Sequence, residues 1–285
     1  MRSSLPYPAF VLRIFAYISE IIHPCGLPLT PAASRTKSSR LAPVHHSSPL
    51  LLLITHIPPI TPICEMDKII FDHVIPHVFM SDAHLESDVW DNSLTFEKGK
   101  TYLVEASSGR GKTTFCSYIL CHRHDYSGHI LFDQRDVTSL SVSETVRLRQ
   151  RHISHLFQEL RLFPELTALE NVEIKNRLYR HGGTRGYRKR SDILEWFDAL
   201  GISSLRDRAV GRMSFGQQQR VALLRSLVQP FDFLIVDEPI SHLDDINASA
   251  MSSIILQEVS RQGAGLITTS VGRHWPLCYD QTVRL

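Results

Sequence analysis

The sequence lacks an apolar run long enough to cross a bilayer. A membrane-spanning helix needs about 20 consecutive apolar residues, and the longest candidates, around Phe10 to Ile22 and Pro49 to Ile60, are shorter and interrupted. Net charge is also low, at +2 over 285 residues, which removes the usual argument for a nucleic-acid partner. We therefore expect no nucleic-acid partner, and we expect any membrane association to come through another protein.

Cysteine is scarce and unpaired in spacing. An odd number of cysteines without a C-x-x-C pair argues against a disulfide framework or a zinc site, and it favours a reducing cytoplasm. The five residues are Cys25, Cys64, Cys116, Cys121 and Cys278.

Glycine is nearly absent before Met66. That stretch holds one of the fourteen glycines but ten of the fifteen prolines, and no helical or strand period persists in it. We interpret residues 1–65 as a disordered or irregular extension. Two alternatives stay open: a secretory signal, and an upstream translation with Met66 as the natural start.

After Met66 the apolar pattern becomes regular. Buried strands alternate with helical stretches, which indicates an α/β fold with a largely parallel sheet. The interval from about Glu159 to Met213 favours helix and has no convincing strand, so it reads as a helical insert. The predicted strands are Lys68 to Val74, Thr101 to Val104, His129 to Phe132, Ile153 to Phe157, Phe233 to Val236, Gly265 to Thr269 and Gln281 to Leu285; helices follow Lys112, Ser143, Ser191, Gly216 and Asn247.

A glycine-containing loop joins the strand Tyr102 to Val104 to a helix. This context is typical of a phosphate-binding loop, in which backbone amides and a helix N-terminus face the anion. Lys112 would reach the β- and γ-phosphates, Thr113 would offer its hydroxyl to Mg²⁺, and Thr114 would donate to the α-phosphate. The alternative is an ordinary turn into a helix. The loop residues are Ala106, Ser107, Ser108, Gly109, Arg110, Gly111, Lys112, Thr113 and Thr114; Ala106 stands where the G-x-x-x-x-G-K-[ST] pattern has glycine.

Two carboxylates, Asp237 and Glu238, end the apolar strand that starts at Phe233. Ligands of parallel sheets bind at the carboxyl ends of the strands. We therefore expect Asp237 to hold Mg²⁺ and Glu238 to act as general base on the attacking water. A capping or solvated pair after a core strand is the alternative.

The run Met213-Ser214-Phe215-Gly216-Gln217-Gln218-Gln219-Arg220 closely resembles the signature of ATP-binding cassettes of ABC transporters, L-S-G-G-Q-Q-Q-R. By the same resemblance, Gln158 is similar to the glutamine that senses Mg²⁺ and the membrane partner. Phe79 or Trp90 would stack on adenine, and Phe79 fits the spacing better. A core role is the alternative for both aromatics.

The resemblance implies a P-loop nucleotide-hydrolase fold over residues 66–285, with a largely parallel central sheet, an antiparallel β edge and a helical insert at about 159–213. It also implies ATP and Mg²⁺ as cofactors and ATP hydrolysis that powers transport. Mg²⁺ would be held by Thr113, Gln158 and Asp237; Glu238, Gln158 and Ser270 would be catalytic. Lipoprotein-releasing and macrolide-export cassettes are the most similar.

The implied partners are a second cassette, in a homodimer, and a transmembrane permease. In the dimer, Ser214, Gly216 and Gln217 of one copy would close over the phosphate loop of the other. The protein would be cytoplasmic and peripheral on the inner face of the membrane. The alternatives are a soluble ABC ATPase without a membrane subunit and a degenerate cassette that hydrolyses ATP slowly.

Two further departures from the family pattern concern catalysis. Phe215 replaces the first signature glycine, and Ser270 stands where the family has a histidine that bonds the γ-phosphate. A serine hydroxyl is shorter and carries no positive charge. We hypothesise that ATP binding is retained while hydrolysis is slower, because one lost transition-state donor costs roughly 100-fold or more.

Overall fold

The computed structural model describes residues 65–80, 86–107, 109–181, 184–238, 245–272 and 275–285. The predicted extension, residues 1–65, lies outside these ranges except for Glu65. The strands are β1 (Lys68–Pro76), β2 (Ser93–Glu97), β3 (Thr101–Glu105), β4 (Tyr126–Phe132), β5 (Arg135–Asp136), β6 (Ile153–Leu156), β7 (Arg180–His181), β8 (Thr184–Arg185), β9 (Phe233–Asp237), β10 (Gly265–Ser270) and β11 (Gln281–Arg284). The α-helices are α1 (Lys112–Ile119), α2 (Val142–Arg151), α3 (Ala168–Asn176), α4 (Arg190–Ala199), α5 (Phe215–Leu227) and α6 (Asp245–Gln262).

A five-stranded parallel sheet forms the centre, in the order β11-β3-β10-β9-β6. Strands β9 and β10 are buried along their whole length, as expected for a parallel sheet covered on both faces. The register sets Val104, Thr269 and Asp237 side by side, so three strands end at one edge. The predicted α/β fold with a largely parallel sheet is confirmed.

The antiparallel part is a sheet of its own, in the order β2-β1-β4-β5, rather than an edge of the central sheet. Strands β2 and β5 were not predicted from the sequence. The pairing of β1 with β4 is irregular between Asp72 and Ile75. Gly128 of β4 lies against this bulge with φ +82°, and a Cβ there would come within 2.1 Å of the carbonyl oxygen of His73.

The interval 159–213 contains α3, α4 and two short 3-10 segments. It also contains the antiparallel hairpin of β7 and β8, so the expectation of no strand there is wrong. Each hairpin strand has only two residues, too few to give a period. Among the described residues, none of the helices combines the length and apolar character needed to cross a membrane.

Two apolar clusters cover the faces of the central sheet. Leu234 and Val236 of β9 pack with α3 to α6 on one face. Phe233 and Ile235 of the same strand pack on the other face with α1 and the antiparallel sheet. This alternation follows from the two-residue period of a strand, and it decides which side chains of β9 lie next to α1.

Candidate nucleotide-binding site

The loop 106–111 connects the carboxyl end of β3 to the start of α1. Two of its glycines have φ angles that side chains rarely adopt, +82° at Gly109 and +96° at Gly111. Gly111 is the N-cap of α1 and has no side chain to cap it. The amides of the first helical turn are therefore left for a bound anion. Ser108 lies outside the described residues.

Ala106 fits the loop without strain. It is not among the described residues with positive φ, so the missing glycine removes no required conformation. Its amide donates to the carbonyl oxygen of Ser270 at 3.1 Å, which joins the start of the loop to the end of β10. Farther along, the amide of Arg110 donates to the carbonyl of Ser107 at 3.2 Å.

Lys112, Glu238 and Gln158 meet at this loop. Lys112 Nζ lies 2.6 Å from Glu238 Oε1, and the two side chains are only 11% and 17% exposed. Gln158 Nε2 donates to Glu238 Oε2 at 3.3 Å. The carboxylate thus binds one partner from the first turn of α1 and another from the segment after β6.

Asp237 is buried beside them. Its Oδ1 accepts a hydrogen bond from Thr269 Oγ1 at 2.5 Å, across the β9–β10 pairing. Burial raises the pKa of Asp237 above its usual range, and the neighbouring charge of Glu238 acts in the same direction. The Thr269 hydrogen bond and Lys112 oppose this shift. A bound cation would favour the ionised carboxylate.

The two threonines that follow Lys112 differ in their surroundings. Thr113 is exposed in the first turn of α1, where its hydroxyl is accessible. Thr114 is buried, and its Oγ1 accepts a hydrogen bond from Arg123 Nη1 at 3.3 Å. The hydroxyl proton of Thr114 stays available for donation, because the oxygen serves only as acceptor in that bond.

The backbone around the site is unusual in two places. Glu238 has φ +42°, and Leu160 and Arg161, just after Gln158, have φ +59° and +47°. Such conformations cost of order 1–3 kcal/mol each and persist only where neighbours hold them. The buried Arg225 of α5 provides such a hold, donating from Nη2 and Nη1 to the carbonyls of Leu160 and Arg161 at 2.6 Å each.

The two candidate adenine-stacking aromatics both lie close to Gly111. A Cβ on Gly111 would come within 3.0 Å of the Phe79 ring and 3.4 Å of the Trp90 ring. Trp90 is only 1% exposed and packs against Phe115 and other core rings, so it is a core residue. Phe79 is half-buried in a 3-10 turn next to the phosphate loop, which leaves part of its ring accessible.

The signature residues lie at the start of α5, separate in sequence from the loop. Ser214 is the N-cap, and its hydroxyl and the side chain of Gln217 bond each other's backbone amides in a capping box. Phe215 is 44% exposed at the first helical position, followed by Gly216. The helix start thus presents a large aromatic ring to solvent.

Ser270 is the last residue of β10 and is buried. Its backbone pairs with Glu105 of β3, and its carbonyl holds Ala106. The structure therefore places Ser270 directly beside the first residue of the phosphate loop.

Comparison with known proteins identifies the family. A family model described as ABC transporter matches residues 89–241. The chain belongs to the ABC transporter family of ATP-binding cassettes. Members of this family are ATPases.

Two kinds of relative resemble this cassette. The lipoprotein-releasing system ATP-binding protein LolD of Myxococcus xanthus is 33% identical over 170 residues, covering 60% of this chain and 74% of LolD. The macrolide export ATP-binding/permease protein MacB of Sodalis glossinidius is 32% identical over 188 residues, covering 65% of this chain and 28% of MacB. The chain thus spans about a quarter of the length of the MacB relatives that it matches.

A solved structure agrees with these matches. The dimeric structure of MJ0796, a bacterial ABC transporter cassette, superposes with a TM-score of 0.60 at 25% identity, covering 71% of this chain and 87% of that one. MJ0796 in a post-hydrolysis state bound to ADP and phosphate gives 0.58 at 23% identity, a likeness in fold. The resemblance inferred from the signature is confirmed.

The functions of four residues at the cassette site were not predicted from the sequence. Thr269 donates a hydrogen bond to Asp237. Its position next to Ser270 at the end of a predicted strand could have indicated that it lies at the site. Arg225 was not detectable, because its function depends on a loop more than 60 residues away in sequence. His155 and Cys116 lie beneath Asp237, and only the order of the strands brings them there.

Proposed function

We propose that this cassette, over residues 66–285, binds ATP with Mg²⁺ and hydrolyses it to power a transporter. The observation that carries the proposal is the meeting of Lys112, Gln158 and Glu238 at the phosphate loop, beside the buried Asp237. A cationic side chain, a helix N-terminus and two carboxylates at one sheet edge are the groups that phosphoryl transfer to water requires.

In this proposal Lys112 exchanges Glu238 for the β- and γ-phosphates when ATP binds. Amides of Gly109 to Thr114 surround the phosphates, and the Phe79 ring covers the adenine. Released from Lys112, Glu238 accepts a proton from the attacking water, while Gln158 orients that water. The short distances between the three side chains support this exchange, because each lies within reach of the same small volume.

The donor set fits Mg²⁺. Thr113 offers an exposed hydroxyl, Gln158 an amide oxygen and Asp237 a carboxylate, and hard oxygen ligands are what Mg²⁺ prefers. The raised pKa of the buried Asp237 means that its ionised form gains from a neighbouring cation. When bound, Mg²⁺ would neutralise the developing charge on the phosphates. Asp237, held by Thr269, keeps its orientation for this contact.

Two copies are required for a complete site in this proposal. The N-terminus of α5, with Ser214, Gly216 and Gln217, would face the γ-phosphate held by a second copy. The exposed start of α5 and the dimeric structure of MJ0796 support a homodimer. Phe215 would lie in the same interface, where its ring must be accommodated.

A transmembrane permease is the proposed third component. It would place the cassette at the inner face of the cell membrane, exposed to the cytoplasm. The supporting observation is that relatives carry the names of a lipoprotein-releasing system and a macrolide export ATP-binding/permease protein.

The test measures ATP binding and phosphate release by the purified chain. Lys112→Ala should weaken ATP binding at least about 10-fold, because it removes a charged contact with the phosphates. Lys100→Ala, which removes an exposed lysine paired with Glu97, is the matched control and should change neither quantity. ATP binding that is absent in the wild type, or insensitive to Lys112→Ala, would overturn the proposal.

The slower hydrolysis expected from Ser270 has its own test. Ser270→His should raise the steady-state turnover of the dimer, because it restores a longer donor that can carry positive charge. Ordinary turnover in the wild type, unaffected by Ser270→Ala, would refute the hypothesis that Ser270 is a weakened γ-phosphate contact.

A further inference from the structure

A buried cluster of three metal-binding side chains lies beneath the nucleotide site. It consists of Cys116 on α1, His155 on β6 and Asp237 at the end of β9. One potential ligand atom of each, a thiol sulfur, a ring nitrogen and a carboxylate oxygen, lies within 4.8 Å of the other two. All three residues are buried.

The sheet topology brings these residues together. Strand β6 pairs with β9 so that His155 lies opposite Ile235. Ile235 and Asp237 are two positions apart on one strand, so their side chains lie on the same face of the sheet. That face packs against α1, which contributes Cys116 to the same apolar cluster as Ile235.

His155 is the residue that points to a ligand. It is 9% exposed, and neither Nδ1 nor Nε2 has a hydrogen-bond partner among the described residues. Its ring packs against that of Phe157 with centroids 4.1 Å apart, a contact that uses no nitrogen. A buried polar group without a partner is destabilising, because it has lost its hydrogen bonds to water and gained none in the protein. A core imidazole is therefore costly here unless something binds its nitrogen.

We propose that Cys116, His155 and Asp237 bind one thiophilic divalent cation, Zn²⁺ in particular. Sulfur and imidazole ligands select zinc over magnesium, and a carboxylate completes a mixed set that zinc accepts. Bond lengths of about 2.0–2.3 Å place tetrahedral ligands roughly 3.5 Å apart. The cluster would contract by about 1 Å on binding, and a water would take the fourth position.

The cation site has a consequence for nucleotide binding. Asp237 would be a ligand of both the buried cation and Mg²⁺, and binding to one would restrict its binding to the other. Zn²⁺ and ATP–Mg²⁺ would therefore each weaken the binding of the other. This coupling rests on the proposed function of Asp237, whereas the cation site itself does not.

Cobalt serves as the spectroscopic probe in the test. Co²⁺ is titrated into the nucleotide-free chain after chelator treatment, and a cobalt–thiolate charge-transfer band is recorded after long equilibration, because the site is buried. One Co²⁺ per chain with such a band, displaced by Zn²⁺, is the expected result. No band in the wild type would overturn the proposal.

Variants assign the site. Cys116→Ser should abolish the band. His155→Leu should weaken Co²⁺ binding at least about 100-fold, since loss of a residue that only hydrogen-bonds to a metal ligand already lowers metal affinity about 10- to 100-fold. Cys121→Ser, which alters another buried cysteine near the end of the same helix, is the matched control and should keep the band. Circular dichroism checks folding, and Cys116→Ala replaces Cys116→Ser if that variant does not fold. A band that survives in folded Cys116 variants would refute the site.

A second measurement separates this inference from the proposed function. ATP–Mg²⁺ binding is measured with and without one equivalent of Zn²⁺. A cobalt–thiolate band together with an ATP affinity that Zn²⁺ does not change would refute the coupling but not the cation site. Weaker ATP binding in Lys112→Ala, with the cobalt band intact, is the outcome expected if both assignments are correct.

Discussion

Glu238→Gln should tighten ATP binding while it stops hydrolysis. Glu238 holds Lys112 at 2.6 Å, and both side chains are largely buried. In the proposed mechanism, ATP displaces this carboxylate before Lys112 binds phosphate. Glutamine is nearly the same size and retains a carbonyl oxygen, so the substitution removes charge without opening a cavity.

The magnitude follows from the lost charge. Hydrogen bonds to charged groups contribute about 1.5–3 kcal/mol, and charge assistance supplies roughly half of that. Lys112 would therefore be released at a cost lower by about 0.75–1.5 kcal/mol, which corresponds to ATP binding about 3- to 12-fold tighter. Removal of a negative charge near the triphosphate acts in the same direction. Hydrolysis should fall by about 100- to 10,000-fold, the usual contribution of a general base.

The assay is equilibrium binding of a fluorescent ATP analogue, followed by phosphate release on the same samples. Glu159→Gln is the matched control, because it removes an exposed carboxylate one residue beyond Gln158 and leaves the Lys112–Glu238 pair in place. Weaker or unchanged ATP binding in Glu238→Gln, with normal folding, would show that the ion pair does not compete with the nucleotide.

Three further predictions concern stability and use urea unfolding. Gly128→Ala should destabilise the fold by about 2–4 kcal/mol, because its Cβ would overlap the carbonyl of His73, whereas Gly99→Ala, with a similar φ of +79° but open space, should cost only about 1–2 kcal/mol; equal losses would contradict this. Arg225→Met should cost about 3 kcal/mol, since the carbonyl oxygens of Leu160 and Arg161 lose their charged donor; a loss under 1 kcal/mol would argue against a stabilising effect of these two hydrogen bonds. Burial lowers the pKa of His155 from 6.5 to about 3. Between these two pH values, the unfolded chain therefore binds a proton that the folded chain does not. Stability of the metal-free protein should therefore fall by about 2 kcal/mol from pH 7 to pH 5, and His155→Leu should remove that part of the slope; an unchanged slope would show that His155 titrates normally.

Local pattern was sufficient for the parts of the site that are continuous in sequence. The phosphate loop follows an apolar strand, and Asp237 ends another, so each could be recognised with its neighbours alone. Strand β2 was missed because it has only two buried apolar positions, Leu94 and Phe96, in five residues. Its pattern is too short to be distinguished from a turn region beside Gly99.

Contacts between distant segments could not be predicted. The partner of Asp237 depends on β10 lying beside β9, and the position of His155 depends on β6 lying on the other side. The strand order is set by packing over the whole sheet, which no window of sequence contains. The same is true of Arg225, whose two acceptors are made available by the positive φ angles of the loop after Gln158.

The Arg225 side chain also connects two parts of the site mechanically. It fastens helix α5, which begins at the signature, to the segment that carries Gln158. A displacement of α5 would therefore pull on this segment and change the distance between Gln158 and Glu238. In the proposed dimer, a movement of α5 caused by the second subunit would be transmitted through Arg225 to the segment that contains Gln158. Arg225 would then couple movement at the dimer interface to the position of Gln158 during hydrolysis.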